Sequence, residues 1–541
     1  MTEIKFEFEN NHYKCKKNDS IALALMKNNI LDLNLNEVDE WRGYFCGMGI
    51  CNECLVECNG EIVKSCTKKI NSGDKIKTKG RIKLKNKFSE LENSDDCVMM
   101  NADVVVIGGG ISGMAAGFQL SKVGINVILI DSNDDLGGQY LKNINNNSNN
   151  SLINKINKSN IQILKNTDVF AIFDKFEIWG KNTKNLYKIK CNKIIVATGA
   201  YEDIYPVHNW TLPNIIQTGS IQNIIKAYNF VPDKNYVVYG NGPFILDVSK
   251  NIKKNGGKIS NVFEIAKKPS VTKIKNLIMM SLSNPFLMVK GLVTLLYLKI
   301  KSIDVSYGVR LKKIEKKDKE IRCYFEHISS SKEVIVDTDY LCVGNGFISN
   351  NYILRFLNCE TKFNNDLKLE TVVNEKMMTS INNVYAVGDC KNIMGSVVGY
   401  YEGLLCGYGI IEEMKNLNLI DKINKILVNY KLLLNKLFQK YLWNIYKINN
   451  NYSIDDDTYI CRCENVKYKS IVEQLEEYKT MNKLKVETRV GMGKCQGRLC
   501  NNILLNILSQ NGVKVSQNDF YNIRMPLIPT KIGIITQNEN N

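Results

Sequence analysis

The chain has 541 residues, of which 44% are hydrophobic and 23% are charged, and its formal net charge is +17. This length predicts about three or four domains, and the composition excludes a disordered or fibrous chain. The lysines are scattered and form no basic stripe interleaved with aromatic residues, so no nucleic-acid partner is expected, whereas an acidic partner protein stays open.

Targeting and membrane signals are weak in this chain. Its first residues, MTEIKFEFEN, lack a charged segment followed by an apolar core, so no secretory signal is predicted. Eight of the 17 cysteines form two groups with metal-ligand spacing, which favours metal sites in a reducing compartment over disulfides. The segment 277–300 contains Asn284-Pro285 and Lys290, so we expect two amphipathic helices rather than a membrane span. We therefore expect a cytoplasmic protein, with membrane association through a partner as the alternative.

The first group of cysteines lies near the start of the chain. Cys46, Cys51 and Cys54 follow the C-x4-C-x2-C spacing of plant-type ferredoxins, and Cys66 supplies a fourth thiol. A structural zinc site is the less favoured alternative, because zinc usually uses paired C-x2-C knuckles. The segment resembles the β-grasp [2Fe–2S] domain of small iron–sulfur subunits of amine and amino-acid dehydrogenases. The resemblance implies a ferredoxin-like β-grasp domain over residues 1–95, with these four thiolates as cluster ligands.

A dinucleotide-binding pattern follows at 104–131. The apolar run 104–107 predicts a buried parallel strand, and it is followed by a glycine-rich turn, a helical stretch and a second strand over 126–130. In this pattern the first glycine makes a tight turn and the second admits a pyrophosphate. The third glycine lets helix and strand pack closely, and an acid takes a ribose hydroxyl. The residues in these positions are Gly108, Gly110, Gly113 and Asp131.

Three further segments complete a flavin site. One is a glycine pair soon after the first acid, one is an Ala-Thr-Gly at the end of a strand, and one is a Gly-Asp at the end of a later strand. Together with the first pattern they resemble the glutathione-reductase-like family of two-dinucleotide-binding flavoproteins. That resemblance implies FAD bound by residues 100–200 and 346–425, with the last aspartate on a ribitol hydroxyl. The cofactor residues implied by these segments are Gly138, Gln139, Thr198, Gly199, Gly388 and Asp389.

Disulfide chemistry is not expected from these residues. Disulfide reductases carry a cysteine pair over the flavin, but the matching stretch GGQYLKN has none, and Cys390 stands alone. The chain has only three histidines, so a histidine-based acid–base site is also poorly supported. No catalytic residue is assigned, because the flavin and the clusters carry the chemistry.

The segment 201–345 has the layout of an inserted NAD(P)-binding-like domain. A strand leads into Gly240-Asn241-Gly242, and another strand ends at Glu264, where a ribose-binding acid belongs. The third glycine is replaced by Ile245, which weakens the pattern. NAD(P), another adenine nucleotide and a site without a ligand all stay open. The candidate nucleotide-binding residues are Gly240, Gly242 and Glu264.

A longer segment of the sequence points to one group within this family. Residues 197–215, ATGAYEDIYPVHNWTLPNI, together with the later GNGPF, resemble the flavoprotein subunits of the hydrogen cyanide synthase and opine oxidase group and the matching part of sarcosine oxidase alpha. In that group the amine is oxidised on a partner subunit with its own flavin. The resemblance implies a hetero-oligomer with an FAD-containing partner of the D-amino-acid-oxidase type. It also implies a small amine or amino-acid substrate of the opine, sarcosine, proline or glycine type.

The second group of cysteines lies near the end of the sequence. Cys461 and Cys463 precede a helix-like segment, and Cys495 and Cys500 follow it. This arrangement resembles the [2Fe–2S] domain of the bacterioferritin-associated-ferredoxin type, which implies a second cluster in a small domain over 455–510. The simplest form of that motif closes with C-x2-C, whereas this one closes with C-x4-C, so zinc or no metal stays open.

Together these segments predict a multidomain α/β flavoprotein. We expect, in order, the β-grasp [2Fe–2S] domain, a glutathione-reductase-like FAD domain interrupted by a Rossmann insertion, and a small α-rich cysteine-cluster domain. A helical linker over 426–454 precedes the last domain, and a tail over 511–541 follows it. The expected function is that of an electron-transferring, FAD- and iron–sulfur-dependent subunit of an amine or amino-acid dehydrogenase or oxidase. Two alternatives stay open: a self-contained NAD(P)H-dependent reductase, and a non-catalytic electron-transfer or scaffold subunit.

Overall fold

The computed structural model describes most of the chain and divides into two compact units. The residues described are 2–80, 96–141, 151–182, 185–270, 273–448 and 453–530. The first unit combines Met1–Leu84, Glu202–Gly346 and Tyr441–Tyr521, and the second combines Lys85–Tyr201, Phe347–Lys440 and Asn522–Asn541. The predicted limits between domains stay predictions. Residue 95, the linker residues 449–452 and the tail residues 531–541 lie outside the described residues.

The start of the first unit is a mixed five-stranded sheet with one helix. Its elements are β1 (Glu3–Phe8), β2 (Asn11–Lys16), α1 (Ile21–Lys27), β3 (Asn34–Leu35), β4 (Trp41–Arg42), β5 (Leu55–Cys58), β6 (Glu61–Lys64) and β7 (Lys75–Thr78). The strand order is β2-β1-β7-β5-β6, with β1 antiparallel to β2 and parallel to β7. The Ser20 hydroxyl caps α1 by accepting the Leu23 N–H (3.2 Å). Residues 21–26 are all buried, as a helix apolar on every side requires.

The second unit opens with a parallel sheet and its first crossover helix. Its elements are β8 (Asp96–Ile107), α2 (Ile111–Ser121), β9 (Val127–Ile130), α3 (Gly138–Leu141), α4 (Ser151–Asn157), β10 (Gln162–Leu164), β11 (Asp168–Phe173), β12 (Glu177–Lys181) and β13 (Asn185–Val196). Strands β10, β9, β8 and β13 are neighbours in that order and run parallel, while β11 and β12 continue the sheet antiparallel. The order places the glycine-rich turn after β8 in the middle of the sheet, beside the end of β13.

The inserted segment supplies a second parallel sheet, which belongs to the first unit. Its elements are β14 (Ala200–Glu202), β15 (Ile215–Gln217), α5 (Thr218–Tyr228), β16 (Asn235–Gly240), α6 (Pro243–Lys254), β17 (Lys258–Glu264), α7 (Ile274–Ser283), α8 (Pro285–Ile300), β18 (Val305–Tyr307), β19 (Val309–Lys317), β20 (Glu320–His327), β21 (Glu333–Thr338) and β22 (Tyr340–Gly344). The order β15-β22-β16-β17-β18 is parallel throughout, and β19, β20 and β21 form a separate antiparallel sheet. The inserted domain shares one hydrophobic core with the N-terminal domain, in which Leu23 and Ile221 are both fully buried.

The chain then completes the second unit. The elements are β23 (Phe347–Ser349), α9 (Tyr352–Phe356), β24 (Thr361–Phe363), β25 (Leu369–Thr371), β26 (Val384–Ala386), α10 (Ser396–Met414) and α11 (Leu419–Ile445). Strand β26 pairs parallel with the end of β13, which makes the sheet seven-stranded. The two halves of the predicted FAD domain are therefore one sheet, with β26 contributed by the later half.

The last elements form a small, mainly helical part of the first unit. They are β27 (Tyr459–Cys461), β28 (Val466–Lys467), α12 (Tyr468–Val472), α13 (Met481–Thr488) and α14 (Asn501–Gln510). Strands β27 and β28 pair antiparallel as a short hairpin. The predicted fold class is confirmed by this order of elements together with the family matches reported below.

The segment predicted as two amphipathic helices forms two helices, α7 and α8, which meet at Asn284. The exposed side of α8 is mostly apolar rather than polar, so its predicted amphipathic character is not found. Within the part of the chain that the structure describes, no helix combines the length and the apolar content that crossing a bilayer requires.

Candidate cofactor sites

The glycine-rich turn of the second unit leaves room for a phosphate group. Gly108 has a φ of +114°, and a Cβ on it or on Gly113 would collide with backbone carbonyl oxygens, of Ala197 and Gly108 respectively. Gly110 precedes the first residue of α2, and a Cβ there would meet nothing within 4 Å. The helix begins without a side-chain cap, so its first N–H groups and its dipole face this open space. The turn therefore fits the pyrophosphate of a dinucleotide.

The acid at the end of β9 holds this turn. Asp131 is buried, and its Oδ2 accepts the Gly109 N–H (2.6 Å) while its Oδ1 accepts the Asn133 N–H (2.7 Å). The glycine pair lies on the other side of the turn, where a Cβ on Gly138 would come within 3.1 Å of the Gly110 Cα atom.

Two neighbours of these residues qualify the prediction. Gly137, which was not among the predicted site residues, donates its N–H to the Gly109 carbonyl (2.9 Å). Its place in the glycine pair is the signal that points to it. Gln139 follows at the start of α3 with an exposed side chain, so its predicted role in binding stays a prediction.

The other two predicted flavin segments end at the same turn. A Cβ on Gly108 would lie 3.2 Å from the Thr198 nitrogen, and the Thr198 hydroxyl donates to the Asn350 carbonyl (2.7 Å). Gly199 follows with open space around its Cα atom. A Cβ on Gly388 would collide with the Ser112 hydroxyl, which places the end of β26 against the start of α2.

Asp389 lies just before α10. Its Oδ1 accepts the N–H groups of Met394 and Gly395 (both 2.9 Å), and burial raises the pKa of its carboxyl. Its other oxygen is available to a hydroxyl group of a cofactor. The predicted FAD residues from Gly108 to Asp389, apart from the Gln139 side chain, thus converge on one region of the second unit.

A buried carboxylate that sequence reasoning missed holds the Gly-Asp segment. Glu402 on α10 is fully buried, and its Oε2 accepts the Gly388 N–H (3.1 Å). Its Oε1 lies 2.9 Å from the Lys391 Nζ and 3.2 Å from the Lys436 Nζ. A glutamate in an apolar helix is the only signal of it in the sequence, and its two lysine partners become neighbours only through the fold.

The first cysteine quartet comprises two thiol pairs. Cys46 is hydrogen-bonded to Cys51, and Cys54 is hydrogen-bonded to Cys66. Hydrogen bonds from the Cys51 thiol and from backbone amides lower the pKa of the Cys46 thiol to about 6, against the opposing effect of burial. The Cys66 thiol likewise lowers the pKa of Cys54. Two pairs of thiols surrounded by amides fit a [2Fe–2S] cluster, in which each iron takes two protein ligands.

The second quartet is also brought together by the fold. The Sγ atoms of Cys461 and Cys463 are 3.8 Å apart, and those of Cys463 and Cys495 are 3.6 Å apart. Cys500 is hydrogen-bonded to Cys461, so the longer C-x4-C closure still reaches the group. Among the described residues, no group of three or more His, Cys, Asp or Glu side chains is arranged around a single metal ion. The all-sulfur donor set fits a second [2Fe–2S] cluster.

A buried ion pair joins the two cysteine quartets. The Arg462 Nε and Nη2 donate to the Glu53 Oε2 (3.1 and 3.0 Å), and the guanidinium lies 3.8 Å from the centroid of the Phe45 ring. The side chains of Arg462 and Glu53 are only 2% and 4% exposed. Arg462 stands between two cysteines of the second quartet, and Glu53 stands between two cysteines of the first. Sequence reasoning missed this pair, although a charged residue between ligands in both motifs was a signal for it.

The second glycine turn, after β16, differs from the first in what covers it. Gly242 has a φ of +96°, and a Cβ there would lie 3.2 Å from the Trp443 ring, where the equivalent Gly110 has open space. The Asn241 amide also donates to the Tyr446 carbonyl (3.1 Å). The end of α11 and the residue after it therefore cover this turn with the chain's own atoms.

The remaining predicted residues of the second turn lie as the fold requires. A Cβ on Gly240 would collide with the Gly344 carbonyl, so this glycine makes the tight turn. Glu264 is fully buried and accepts the N–H groups of Gly242 (3.0 Å) and Ala266 (2.9 Å). Burial raises the pKa of Glu264 to about 8. As the structure stands, the turn lacks the open space that a dinucleotide would enter.

Comparisons with known proteins agree with these three sites. Residues 102–403 match the family described as pyridine nucleotide-disulphide oxidoreductase, residues 1–81 match a 2Fe-2S iron-sulfur cluster binding domain, and residues 459–510 match a BFD-like [2Fe-2S] binding domain. The predicted FAD and both predicted clusters are thereby confirmed.

The chain is also similar to named proteins over most of its length. It is 24% identical to one of the opine oxidase subunits of Rhizobium meliloti, over 80% of this chain and 87% of that protein. It is 25% identical to the hydrogen cyanide synthase protein HcnB of Pseudomonas protegens, over 74% of this chain and 90% of that protein. The crystal structure of L-proline dehydrogenase from P. horikoshii has the same fold, with a TM-score of 0.71 and 20% identity over 99% of this chain and 97% of that one.

Proposed function

Since the chain belongs to the pyridine nucleotide-disulphide oxidoreductase family, we propose that this FAD- and iron–sulfur-dependent oxidoreductase handles electrons taken from a CH–NH or CH–NH2 donor. The donor is a small amine or amino acid. One observation carries the proposal: a FAD site and two thiol quartets stand on one chain, and a buried ion pair joins the quartets. When bound, a flavin exchanges electrons in pairs and each cluster exchanges them singly.

The residues of the chain bind and orient these groups. In the proposal, Gly108, Gly110 and Gly113 shape the turn for the pyrophosphate, and the first turn of α2 stabilises its charge. Asp131 accepts a hydrogen bond from a ribose hydroxyl. Asp389 accepts one from a ribitol hydroxyl, through the carboxylate oxygen that no loop amide uses. The eight cysteines of the two quartets are the cluster ligands.

The amine donor and the partner are supported by the relatives. The opine oxidase and hydrogen cyanide synthase relatives are both named as subunits, and the first is named as an oxidase of opines. We therefore propose a hetero-oligomer in which an FAD-containing partner oxidises the amine and this chain receives the electrons. A cytoplasmic location belongs to the same proposal, supported by the 17 free thiols.

Reduction of disulfides does not fit these residues. Cys390 is fully buried, its Sγ donates to the Val196 carbonyl (3.2 Å), and burial raises its pKa to about 12. Such a thiol is inert, because the thiolate is the reactive form. The family's disulfide chemistry is therefore not carried over to this chain.

The alternative of a self-contained NAD(P)H reductase is disfavoured by Trp443, which occupies the space in front of Gly242. The test is an anaerobic titration of the purified chain with NADH, in which flavin and iron–sulfur absorbance are followed together. We expect the oxidised spectrum to persist with NADH, and to bleach when an amine is added to the chain co-purified with its partner.

The variant Trp443→Ala serves as the control for the covering ring. Stoichiometric bleaching of the wild type by NADH alone would contradict the proposal, and the NADH reductase would take its place. If only the Trp443→Ala protein bleaches, the ring is what keeps NADH out.

A further inference from the structure

The helices α7 and α8 expose an unusual amount of apolar surface, and the two helices together are named the apolar hairpin. Ten large apolar side chains of the apolar hairpin are exposed, with Leu282 at 72% and Phe286 at 77% of their full area. The others are Ile274, Ile278, Val289, Leu292, Val293, Leu295, Leu296 and Ile300. Exposed apolar side chains concentrated on two consecutive helices mark a site of interaction.

The packing of the chain explains only a narrow strip of α8. Thr294 and Leu298 are its buried residues, and the Thr294 hydroxyl accepts from the Lys250 Nζ on α6 (3.2 Å). Three more of its apolar side chains are half-buried, and most of the remaining helix surface is exposed and apolar. A helix that is hydrophobic nearly all round needs apolar surroundings on most of its sides, and its own fold supplies them on one.

The charged residues within the sequence of the apolar hairpin and its flanks are of one sign. Between residues 265 and 303 the sequence contains seven lysines and neither aspartate, glutamate nor arginine. The whole chain also has a formal net charge of +17. Exposed apolar side chains with lysines as the charged residues beside them in sequence favour a location at the surface of an anionic bilayer.

The length of α8 and the positive charge of its lysines indicate what binds to the apolar hairpin. Helix α8 has 16 residues and is therefore about 24 Å long, short of the ~30 Å of bilayer hydrocarbon, so it lies on a membrane rather than across it. A second copy of this chain in a two-fold contact would set the same lysines against each other. A lipid surface with negative headgroups avoids that repulsion.

We propose that the apolar hairpin docks the protein on an anionic membrane surface. The apolar side chains of α7 and α8 enter the boundary between headgroups and acyl chains, and the flanking lysines contact lipid phosphates. The membrane is thereby a direct ligand of this chain, whatever partner it assembles with and whatever substrate supplies its electrons.

The experiment is vesicle flotation of the intact holoprotein. Vesicles of phosphatidylcholine with and without phosphatidylglycerol are used, at low and at physiological salt. We expect the protein to float with the phosphatidylglycerol vesicles and to stay in solution with phosphatidylcholine alone. The double variant Leu282→Glu, Phe286→Glu is expected to lose this binding while it keeps its flavin and iron, because both side chains are already exposed.

Matched controls separate this surface from general stickiness. Ile62→Glu and Val486→Glu change apolar side chains that are 50% and 66% exposed elsewhere in the first unit, and they should float like the wild type. Lys290→Gln and Lys299→Gln should each weaken binding to phosphatidylglycerol vesicles about fivefold and reduce its salt dependence.

Two results would overturn the proposal. One is an equal loss of binding in the control variants. The other is the absence of the wild type from the floated phosphatidylglycerol fraction. If light scattering then shows a homo-oligomer or a complex with another protein that the Leu282→Glu, Phe286→Glu protein fails to form, the apolar hairpin is assigned to a protein partner.

Discussion

At the scale of the residue, the glycines around α2 separate two demands on the same turn. Gly113 is needed for folding, because any side chain would overlap the Gly108 carbonyl. Gly110 has no such neighbour, and the space it leaves open is of use only to a ligand. A substitution at Gly113 should therefore impair folding, whereas one at Gly110 should impair cofactor binding.

We predict that Gly110→Ala folds like the wild type but binds FAD at least about tenfold more weakly, a loss of about 1.4 kcal/mol, because the added methyl group enters the space for the pyrophosphate. Gly113→Ala should instead lower the yield of folded protein. Thermal unfolding and fluorimetric titration of the apoprotein with FAD distinguish the two. Wild-type affinity in folded Gly110→Ala would contradict the assignment of the turn.

Glu264 gives stability a pH dependence. Burial raises the pKa of this carboxyl from 4.5 to about 8, so the folded state favours its neutral form. Its contribution is complete below pH 4.5 and is lost as the pH rises through about 8, at up to about 1.4 kcal/mol per pH unit. We predict that the thermal unfolding midpoint of Glu264→Gln, whose side chain stays neutral, falls less between pH 6 and pH 8.5 than that of the wild type. Glu320→Gln changes an exposed carboxyl, and its unfolding midpoint should fall as much as that of the wild type. If the midpoint of Glu264→Gln also falls that much, the assignment is refuted.

At the scale of the element, the two cysteine loops are held by one shared contact. The loop between β4 and β5 supplies Glu53, and the turn after β27 supplies Arg462, which also donates to the Trp210 carbonyl (2.8 Å). Arg42 approaches the same Glu53 oxygen at 3.5 Å. One carboxylate thus faces two buried guanidinium groups, and its loss should cost more than the loss of either arginine.

We predict that Glu53→Gln destabilises the holoprotein by about 3–5 kcal/mol and Arg462→Gln by less, since Arg42 still faces Glu53 in the second variant. The double variant should lose less than the sum, with a coupling of about 1 kcal/mol or more. Urea unfolding of the four proteins measures this cycle. The exposed pair Lys258–Asp233 (3.2 Å) is the matched control and should show almost no coupling. Additive losses at Glu53 and Arg462 would mean that the two loops are not energetically joined.

At the scale of the whole molecule, the proposed composition is one FAD and two [2Fe–2S] clusters. We predict about four irons and four acid-labile sulfides per chain. Cys495→Ser should lose about half of the iron, whereas Cys97→Ser, an exposed thiol outside both quartets, should lose none. Metal analysis and electron paramagnetic resonance of the reduced proteins test this, and zinc in place of half of the iron would contradict the second cluster.

A sequence predicts well those sites whose residues lie close together in the chain, because their spacing there determines their arrangement in space. The two cysteine quartets and the Gly108 turn are of this kind, because neighbouring residues set both the spacing and the shape. Trp443 over Gly242 could not be predicted, since the ring comes from a residue 201 positions later in the chain. Strand β8 also begins at Asp96 rather than Val104, because its pairing with β13 extends through residues 96–103, where Asn101 and Asp103 interrupt the apolar run.

The pairing of β8 with β13 and the contact of Arg462 with Glu53 both join residues that are distant in the chain. The contacts of Glu402 with its two lysines also join residues from different segments. Local sequence patterns carry no information about such partners. The elements that hold the cofactors were therefore readable from the sequence, while the contacts that connect those elements were not.

The long separation between Glu53 and Arg462 also bears on biosynthesis. The two residues are 409 positions apart, and the first unit is built from three separate stretches of the chain. At a translation rate of about 5–20 residues per second, the ribosome releases Arg462 about 20–80 s after Glu53. Throughout that interval the thiols of the first quartet wait without the contact that fixes their loop, so delivery of iron is expected to follow translation rather than accompany it.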